Sequence, residues 1–401
     1  MTVFDPKETF KNLAKIGPNV LQCIACGDCR ELTDYTGDPP RWGVCVAKDH
    51  TSGFEPFFGR GKMQIIRSLW QGKLELSKEM GEVIYQCPTC NSCAEACAYD
   101  MDNVAMYEAL RADLVEAGYG LEAHIPMNKA MVELLNPYER DNKLKNNWLE
   151  KLDFKVKDAN KEQAEVLYYV GCTAALTPDI ENVAFNTAQI FKKLNIDFSV
   201  FGEHEVCCGS VAMRTGDRKA FNTVATKNYE LFKKSGVKTI ITSCAGCYRT
   251  LKKDYADHME DLGIEVLHTI EFLNKYVKEN NIQLKNLGLN TTYHDPCHTG
   301  RHVGLYEEPR EILRKVANLT EMKTIKQSAK CCGAGGGLKK GFPELALEIA
   351  KTRVEEAEET GADILVSICP FCYRNLADAI KARNSNIKMV DLTDLINQAL
   401  D

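Results

Sequence analysis

The stretch CCGSVAMRTG (207–216) and its later counterpart CCGAGGGLKKG (331–341) each open on two adjacent cysteines and a glycine. Around them further cysteines recur in one order. Cys172, Cys207-Cys208, Cys244 and Cys247 form the first set, and Cys297, Cys331-Cys332, Cys369 and Cys372 the second. Corresponding positions differ by 125, 124, 124, 125 and 125 residues. Offsets this uniform mark an internal duplication from about residue 165 to 401, each copy with five thiols.

The surrounding pattern predicts α/β structure. In the first copy EVLYYVG (165–171) reads as a strand leading to Cys172, ENVAFNTAQIFKKLN (181–195) as a helix, and DFSVF (197–201) as a strand before the CCG turn. A helix over 217–235 then leads to the strand VKTIITS (237–243) and Cys244. The second copy runs TTYHD (291–295) to Cys297, a helix over 307–318, a strand near 320–325, the turn, a helix over 343–360, and ADILVSI (362–368) to Cys369. Strands alternating with helices imply a parallel sheet in each copy, with cysteines at strand ends, where open α/β sheets gather ligands.

Five thiolates per copy point to iron–sulfur chemistry. Structural zinc takes four ligands in a closed tetrahedron, so a fifth is surplus. A disulfide between adjacent cysteines closes a strained ring, and nothing else in the chain suggests an oxidising compartment.

The remaining eight cysteines lie near the N-terminus: Cys23, Cys26, Cys29 and Cys45, then Cys87, Cys90, Cys93 and Cys97. Each C-x2-C-x2-C triplet suits three corners of a cubane [4Fe–4S] cluster, and in two-cluster ferredoxins the fourth ligand comes from the other motif. One cube then takes Cys23, Cys26, Cys29 and Cys97; the other takes Cys87, Cys90, Cys93 and Cys45. Two features depart from that pattern. Cys45 follows Cys29 by sixteen residues, a longer loop expected to alter its exposure. Val46 and Ala98 stand where a proline is usual. Between the groups GKMQIIRSLWQGKLEL (61–76) has the spacing of an amphipathic helix, and a second helix runs from Asp102 towards Gly118.

The expected architecture is a helical two-cluster ferredoxin-like domain (1–134), a polar linker with at most short structure (135–164), and two duplicated α/β cysteine-rich lobes (165–288 and 289–401). The net charge of −6 and the lack of a basic run argue against nucleic acid as a partner. No apolar run approaches the ~20 residues that span a bilayer. No signal-peptide pattern opens the chain, so a cytoplasmic location is expected. With no flavin or nicotinamide motif, the chain needs an electron-donor partner.

The segments VGCTAAL (170–176), CCGSVAMRTG, TSCAGCYRTLKKDY (242–255), YHDPCHTGR (293–301), CCGAGGGLKKG and SICPFCYRNL (367–376) resemble the cysteine-rich duplicated domain of heterodisulfide reductases. With the ferredoxin module in front, the chain resembles their D-type subunits. It is similar too, within the wider superfamily, to the C subunit of anaerobic glycerol-3-phosphate dehydrogenase. The resemblance implies a noncubane [4Fe–4S] cluster on each complete five-cysteine set, two cubane clusters feeding them, and reduction of a disulfide such as that of coenzyme M and coenzyme B. It implies a flavoprotein or membrane cytochrome as partner. The alternative is an electron-transfer component between a flavoprotein dehydrogenase and a quinone or ferredoxin pool. Candidate catalytic residues are His298 and Lys339, with His294 and Asp295 as further proton donors or hydrogen-bonding supports. Gly333, Gly335, Gly336 and Gly337 would let the backbone approach a cluster, and Tyr248 and Tyr373 would pack beside one. The two lobes are expected about a pseudo-twofold axis, with both five-cysteine sites on one cavity.

Overall fold

A computed structural model describes residues 4–31 and 45–400. Its described strands form two parallel sheets. The first uses β1 (Lys157–Asp158), β2 (Val166–Tyr168), β3 (Phe198–Val200), β4 (Thr239–Thr242) and β5 (Glu265–His268), in the order β1-β3-β2-β4-β5. The second uses β6 (Asn290–Tyr293), β7 (Asn318–Leu319), β8 (Ile364–Ser367) and β9 (Lys388–Asp391), in the order β7-β6-β8-β9. Every pairing is parallel, with Leu167 between Ser199 and Ile240. Strands covered on both faces lose the alternation of half-exposed ones, and β2 and β8 are accordingly buried at every position.

The duplicated α/β arrangement is therefore present, with three differences of detail. The strand expected near 320–325 is the shorter, earlier β7, and a 3₁₀ turn occupies Lys326–Ser328. The edge strands β5 and β9 go beyond the expected pattern, because each starts exposed and carries too short an apolar run to stand out. The polar 135–164 stretch holds 3₁₀ turns at Asn142–Asn146 and Leu149–Lys151, and its β1 extends the first sheet in register with Ser199 and Val200.

The chain divides into two compact units that interleave in sequence. The first joins Met1–Pro126 to Val211–Lys219 and Thr324–Arg353; the second holds the rest, including both sheets.

In the first unit the helix Gly59–Trp70 buries Met63, Ile66, Leu69 and Trp70 in a core shared with Tyr107, Leu110 and Leu114 of the helix Asn103–Glu116. That second helix starts where Asp102 caps the Ala105 amide at 2.9 Å, and it ends before Gly118 at φ +82°. It is buried around most of its circumference, polar residues included. Glu108 accepts two 2.8 Å bonds from Arg214, with the side chains only 4% and 2% exposed. Arg111 donates to the carbonyls of Ile84, Cys87, Arg214 and Gly336, each at 2.8 Å.

In the second unit the two copies exchange equivalent helices. Asn182–Lys193 of the first copy packs on Leu392–Ala399 of the second, and Thr269–Glu279 of the first packs on Glu307–Val316 of the second. The duplication offset carries 182–193 onto 307–316 and 269–279 onto the 392–399 region. Each copy thus offers the other the same pair of surfaces, which is how a twofold axis is built. Asn397 donates to Asn186 at 2.9 Å in one contact, and Asn274 donates to Glu311 at 2.6 Å in the other. Phe191 is fully buried at this seam, edge-on to Tyr168, Phe198 and Phe272.

Arg214→Ala leaves the Glu108 carboxylate buried without its cation, a change that costs about 3–5 kcal/mol. The urea midpoint of the anaerobic protein is expected to fall accordingly, and an unchanged midpoint would remove the pair from any structural role.

Candidate metal centres

The eight N-terminal cysteines are grouped four and four. Cys23, Cys26, Cys29 and Cys97 wall one pocket, with Arg60 and Met63. Cys45, Cys87, Cys90 and Cys93 wall another, with Phe58, Lys62 and Tyr107. Each remote cysteine therefore sits with the triplet of the other motif. The two triplets are wound alike. Ala25 and Thr89 take left-handed φ angles of 59° and 51°, and Gly27 and Asn91, two residues later, take 98° and 67°. A β-branched residue in that region is strained, and such strain persists where the surroundings demand it.

Gly59 stands where the two pockets come closest. A Cβ there would lie 2.7 Å from Cys29 Sγ and 3.2 Å from the Cβ of Cys93. Burial pushes the Cys29 thiol up to about 12 and the Cys45 thiol up to about 11. Without metal these groups stay protonated, whereas a bound cation would favour the thiolates. Four cysteine donors around each pocket fit a four-iron cluster. Most of the long Cys29–Cys45 spacer, with its expected effect on exposure, lies outside the described residues; Cys45 is half-buried.

The first five-cysteine set lies wholly in the second unit. Cys172 opens a short helix after β2, and Cys244 caps the helix Ala245–Arg249 after β4. Neighbouring thiols act on one another's ionisation in sequence: Cys172 and Cys207, Cys207 and Cys208, Cys208 and Cys247, and Cys247 and Cys244. The neighbouring Cys207 and Cys247 thiols lower Cys208, while their neighbours and burial push Cys172 and Cys247 upward. The supporting backbone is closely held. Asn228 donates to the Cys207 carbonyl at 2.9 Å, and Tyr255 donates its hydroxyl proton to the Cys208 carbonyl at 3.1 Å. Glu205 accepts from the amides of Val170 and Gly171, both at 2.8 Å, beside Cys172, and burial raises it to about 7. A Cβ on Gly171 would meet Cys247 Sγ at 3.1 Å.

The second set is divided. Cys297, Cys369 and Cys372 belong to the second unit, and Cys331 and Cys332 to the first. Local geometry repeats: the Gly209 amide approaches Cys207 Sγ at 3.5 Å, and the Gly333 amide approaches Cys331 Sγ at 3.4 Å. Cys369 caps the helix Pro370–Arg383 as Cys244 caps its own. The thiols of Cys244 and Cys369, equivalent under the duplication, lie close enough for Cys369 to push Cys244 upward. Six thiols thus run continuously from Cys172 to Cys369.

The candidate catalytic residues fare unevenly. His298 is 8% exposed, accepts from Arg249 Nη1 at 3.4 Å and lies against His302, with ring centres 4.7 Å apart and planes tilted by 43°. Thr173 occupies its position in the first copy, so the pair of sites is asymmetric there. Lys339 is half-buried on the short helix Leu338–Gly341 and belongs to the other compact unit. His294 is buried near Cys297 in sequence. Asp295 is less suited to donating protons than its position suggests, because both its oxygens accept from Arg310 at 2.6 and 2.8 Å, which favours the carboxylate. Tyr248 donates to Glu271 at 2.8 Å and accepts from Lys252 at 2.8 Å, and Tyr373 is half-buried. The glycine run does permit close approach, but to the ferredoxin module: Cβ atoms on Gly336 and Gly337 would lie 2.7 Å from the Cys87 carbonyl and 2.8 Å from His124 Nε2. Lys62, Arg249 and Glu205 escaped sequence reasoning, since a lone charged residue carries no motif.

The CCG cysteine-rich domain family matches residues 166–252 and 291–377. The D-type subunit of the dihydromethanophenazine:CoB–CoM heterodisulfide reductase of Methanosarcina mazei is 36% identical, and that of Methanosarcina acetivorans 38%, each alignment covering 98% of both chains. The EtfAB:quinone oxidoreductase of Syntrophomonas wolfei is 29% identical over 80% of this chain and 47% of its own. Fold, duplicated cysteine sets and ferredoxin module define an iron–sulfur oxidoreductase of the CCG superfamily. Within it, the chain belongs to the family of heterodisulfide reductase D-type subunits.

Gly59→Ala is expected to remove iron from the Cys23/Cys26/Cys29/Cys97 pocket, through the clash with Cys29 Sγ, while the fold survives by circular dichroism. Full iron content would show that the helix shifts to absorb the methyl.

Proposed function

We propose that the chain reduces a disulfide to two thiols, in the manner named for its Methanosarcina relatives, at two noncubane clusters held by the five-cysteine sets. The observation that carries this is the nearness of Cys244 to Cys369, close enough for Cys369 to raise the Cys244 thiol, which brings equivalent corners of both sets together. Cleavage needs two electrons and two protons: R–S–S–R′ + 2e⁻ + 2H⁺ → RSH + R′SH. Bound clusters would supply one-electron storage and iron as a Lewis acid to which a substrate sulfur can bind. Cys172, Cys207, Cys208, Cys244 and Cys247 would hold one, and Cys297, Cys331, Cys332, Cys369 and Cys372 the other. His298, held by Arg249 and His302, would protonate a departing sulfur. Lys339 would attract an anionic part of the substrate.

Two cubane clusters, on Cys23, Cys26, Cys29 and Cys97 and on Cys87, Cys90, Cys93 and Cys45, would supply electrons from a flavoprotein or membrane cytochrome docked on the ferredoxin-like domain, residues 1–134. Among the described residues no helix is long and apolar enough to cross a membrane, so a membrane donor would act through a separate polypeptide. The second reading, an electron relay without a disulfide substrate, is favoured by the Syntrophomonas relative named a quinone oxidoreductase.

Four four-iron clusters predict about sixteen irons per chain in anaerobic protein; zinc at four or more, with little iron, ends the iron–sulfur assignment of the sites. The dye-reduced protein is expected to reoxidise on addition of a disulfide, tested over several. Cys208→Ser or Cys332→Ser should abolish that reoxidation while the cubane signals remain reducible. Reoxidation by quinone analogues but by no disulfide would select the relay.

A further inference from the structure

Lys62 is a lysine in the wrong place for solvation. It lies on the helix Gly59–Trp70, is 1% exposed, and lines the pocket of Cys45, Cys87, Cys90 and Cys93. Its ammonium donates to the Pro56 carbonyl at 3.1 Å; Cys87, Cys45, Cys93 and Arg111 act on its charge, and Cys90 and Tyr107 line the same pocket. The cation facing the other pocket is differently placed. Arg60 is 28% exposed at its side chain and is ion-paired with Glu55, so its charge is offset and screened. Arg67 donates to the Cys23 carbonyl at 3.1 Å from a half-buried position. Among the described residues this buried cation is acted on chiefly by cysteines, and such a charge is costly unless negative charge collects there. A cluster gains one negative charge on reduction, and a fixed cation in a low-dielectric pocket stabilises that state.

We propose that Lys62 is a positioning residue for charge, setting the redox poise so that the centre at Cys45, Cys87, Cys90 and Cys93 is the more readily reduced of the two ferredoxin-type centres. Arg111, donating to the Cys87 carbonyl, adds positive charge on the same side. The more reducible centre is also the one whose Cys87 loop the glycine run before Lys339 packs upon, so electrons collect on the side of the Cys331-Cys332 segment. The inference rests on the cubane ligand sets of the proposed function.

The test is an anaerobic dithionite titration of the full chain, followed by electron paramagnetic resonance; each centre takes one electron from the reductant and no bond forms to Lys62. In Lys62→Met the reduction of this centre should become at least tenfold less favourable, about 59 mV for a one-electron couple, with the other centre unmoved. Lys62→Arg should stay within about threefold of the native chain. Cys97→Ser, which strips the Cys23 site, identifies which signal is which. No shift, an equal shift of both centres, or an arginine variant displaced as far as the methionine one would overturn the proposal. Should Lys62→Met lose the centre, Lys62→Gln replaces it; loss in all three variants assigns Lys62 to packing and overturns it. Iron and sulfide counts keep the two failures apart: a native chain without two ferredoxin-type centres fails the ligand sets, and full counts without a shift fail only the role of Lys62.

Discussion

Crowded sulfur is the condition to which the rest of this chain is fitted. Thiolates brought this close repel one another, and burial without metal holds them protonated. In the second unit six thiols are linked from Cys172 to Cys369, and the protein around them is occupied in keeping them there. Asn228 and Tyr255 hold the Cys207-Cys208 backbone from outside, and Glu205 holds the amides before Cys172. Parallel strands deliver the cysteines at one end of each sheet, and the following helices open on them. Metal binding to such a framework is coupled to proton release and to folding.

Duplication explains how two such sets come to meet. Each copy gives the other the same two helical surfaces, so the interface is self-complementary and the equivalent cysteines 244 and 369 become neighbours. Symmetry is then broken where chemistry differs. His298 replaces the threonine of the first copy at position 173. Arg249 faces that imidazole, whereas its counterpart Arg374 lies near the Tyr138 hydroxyl.

Buried charge supports the ferredoxin side. Arg111 satisfies four carbonyls from three separate chain segments, a task for which a planar five-donor group is suited and an ammonium is not. Beside it Arg214 is neutralised by Glu108, whereas Lys62 faces cysteines. The segments 211–219 and 324–353 join the ferredoxin module through such contacts, and Gly336 lets backbone lie against the Cys87 loop with no side chain between.

Much of this was legible in the linear chain because cysteine spacing is local and periodic. C-x2-C-x2-C triplets, vicinal pairs and the near-constant offset survive any arrangement of the surrounding helices, and apolar runs such as ILVS at 364–367 announce buried strands. The grouping of Cys97 with the first triplet and Cys45 with the second followed from the spacing rule of two-cluster ferredoxins. Other features depended on distance between remote segments. The edge strands β5 and β9 exist because a neighbour supplies their hydrogen bonds, and Asp295 is claimed by an arginine fifteen residues away. The division of the second cysteine set between two compact units, the meeting of Cys244 with Cys369, and the burial of Lys62 likewise carry no local signature. The type and order of ligands are written in sequence spacing; which thiols touch, and which charge faces them, depends on packing energies summed over segments a hundred residues apart.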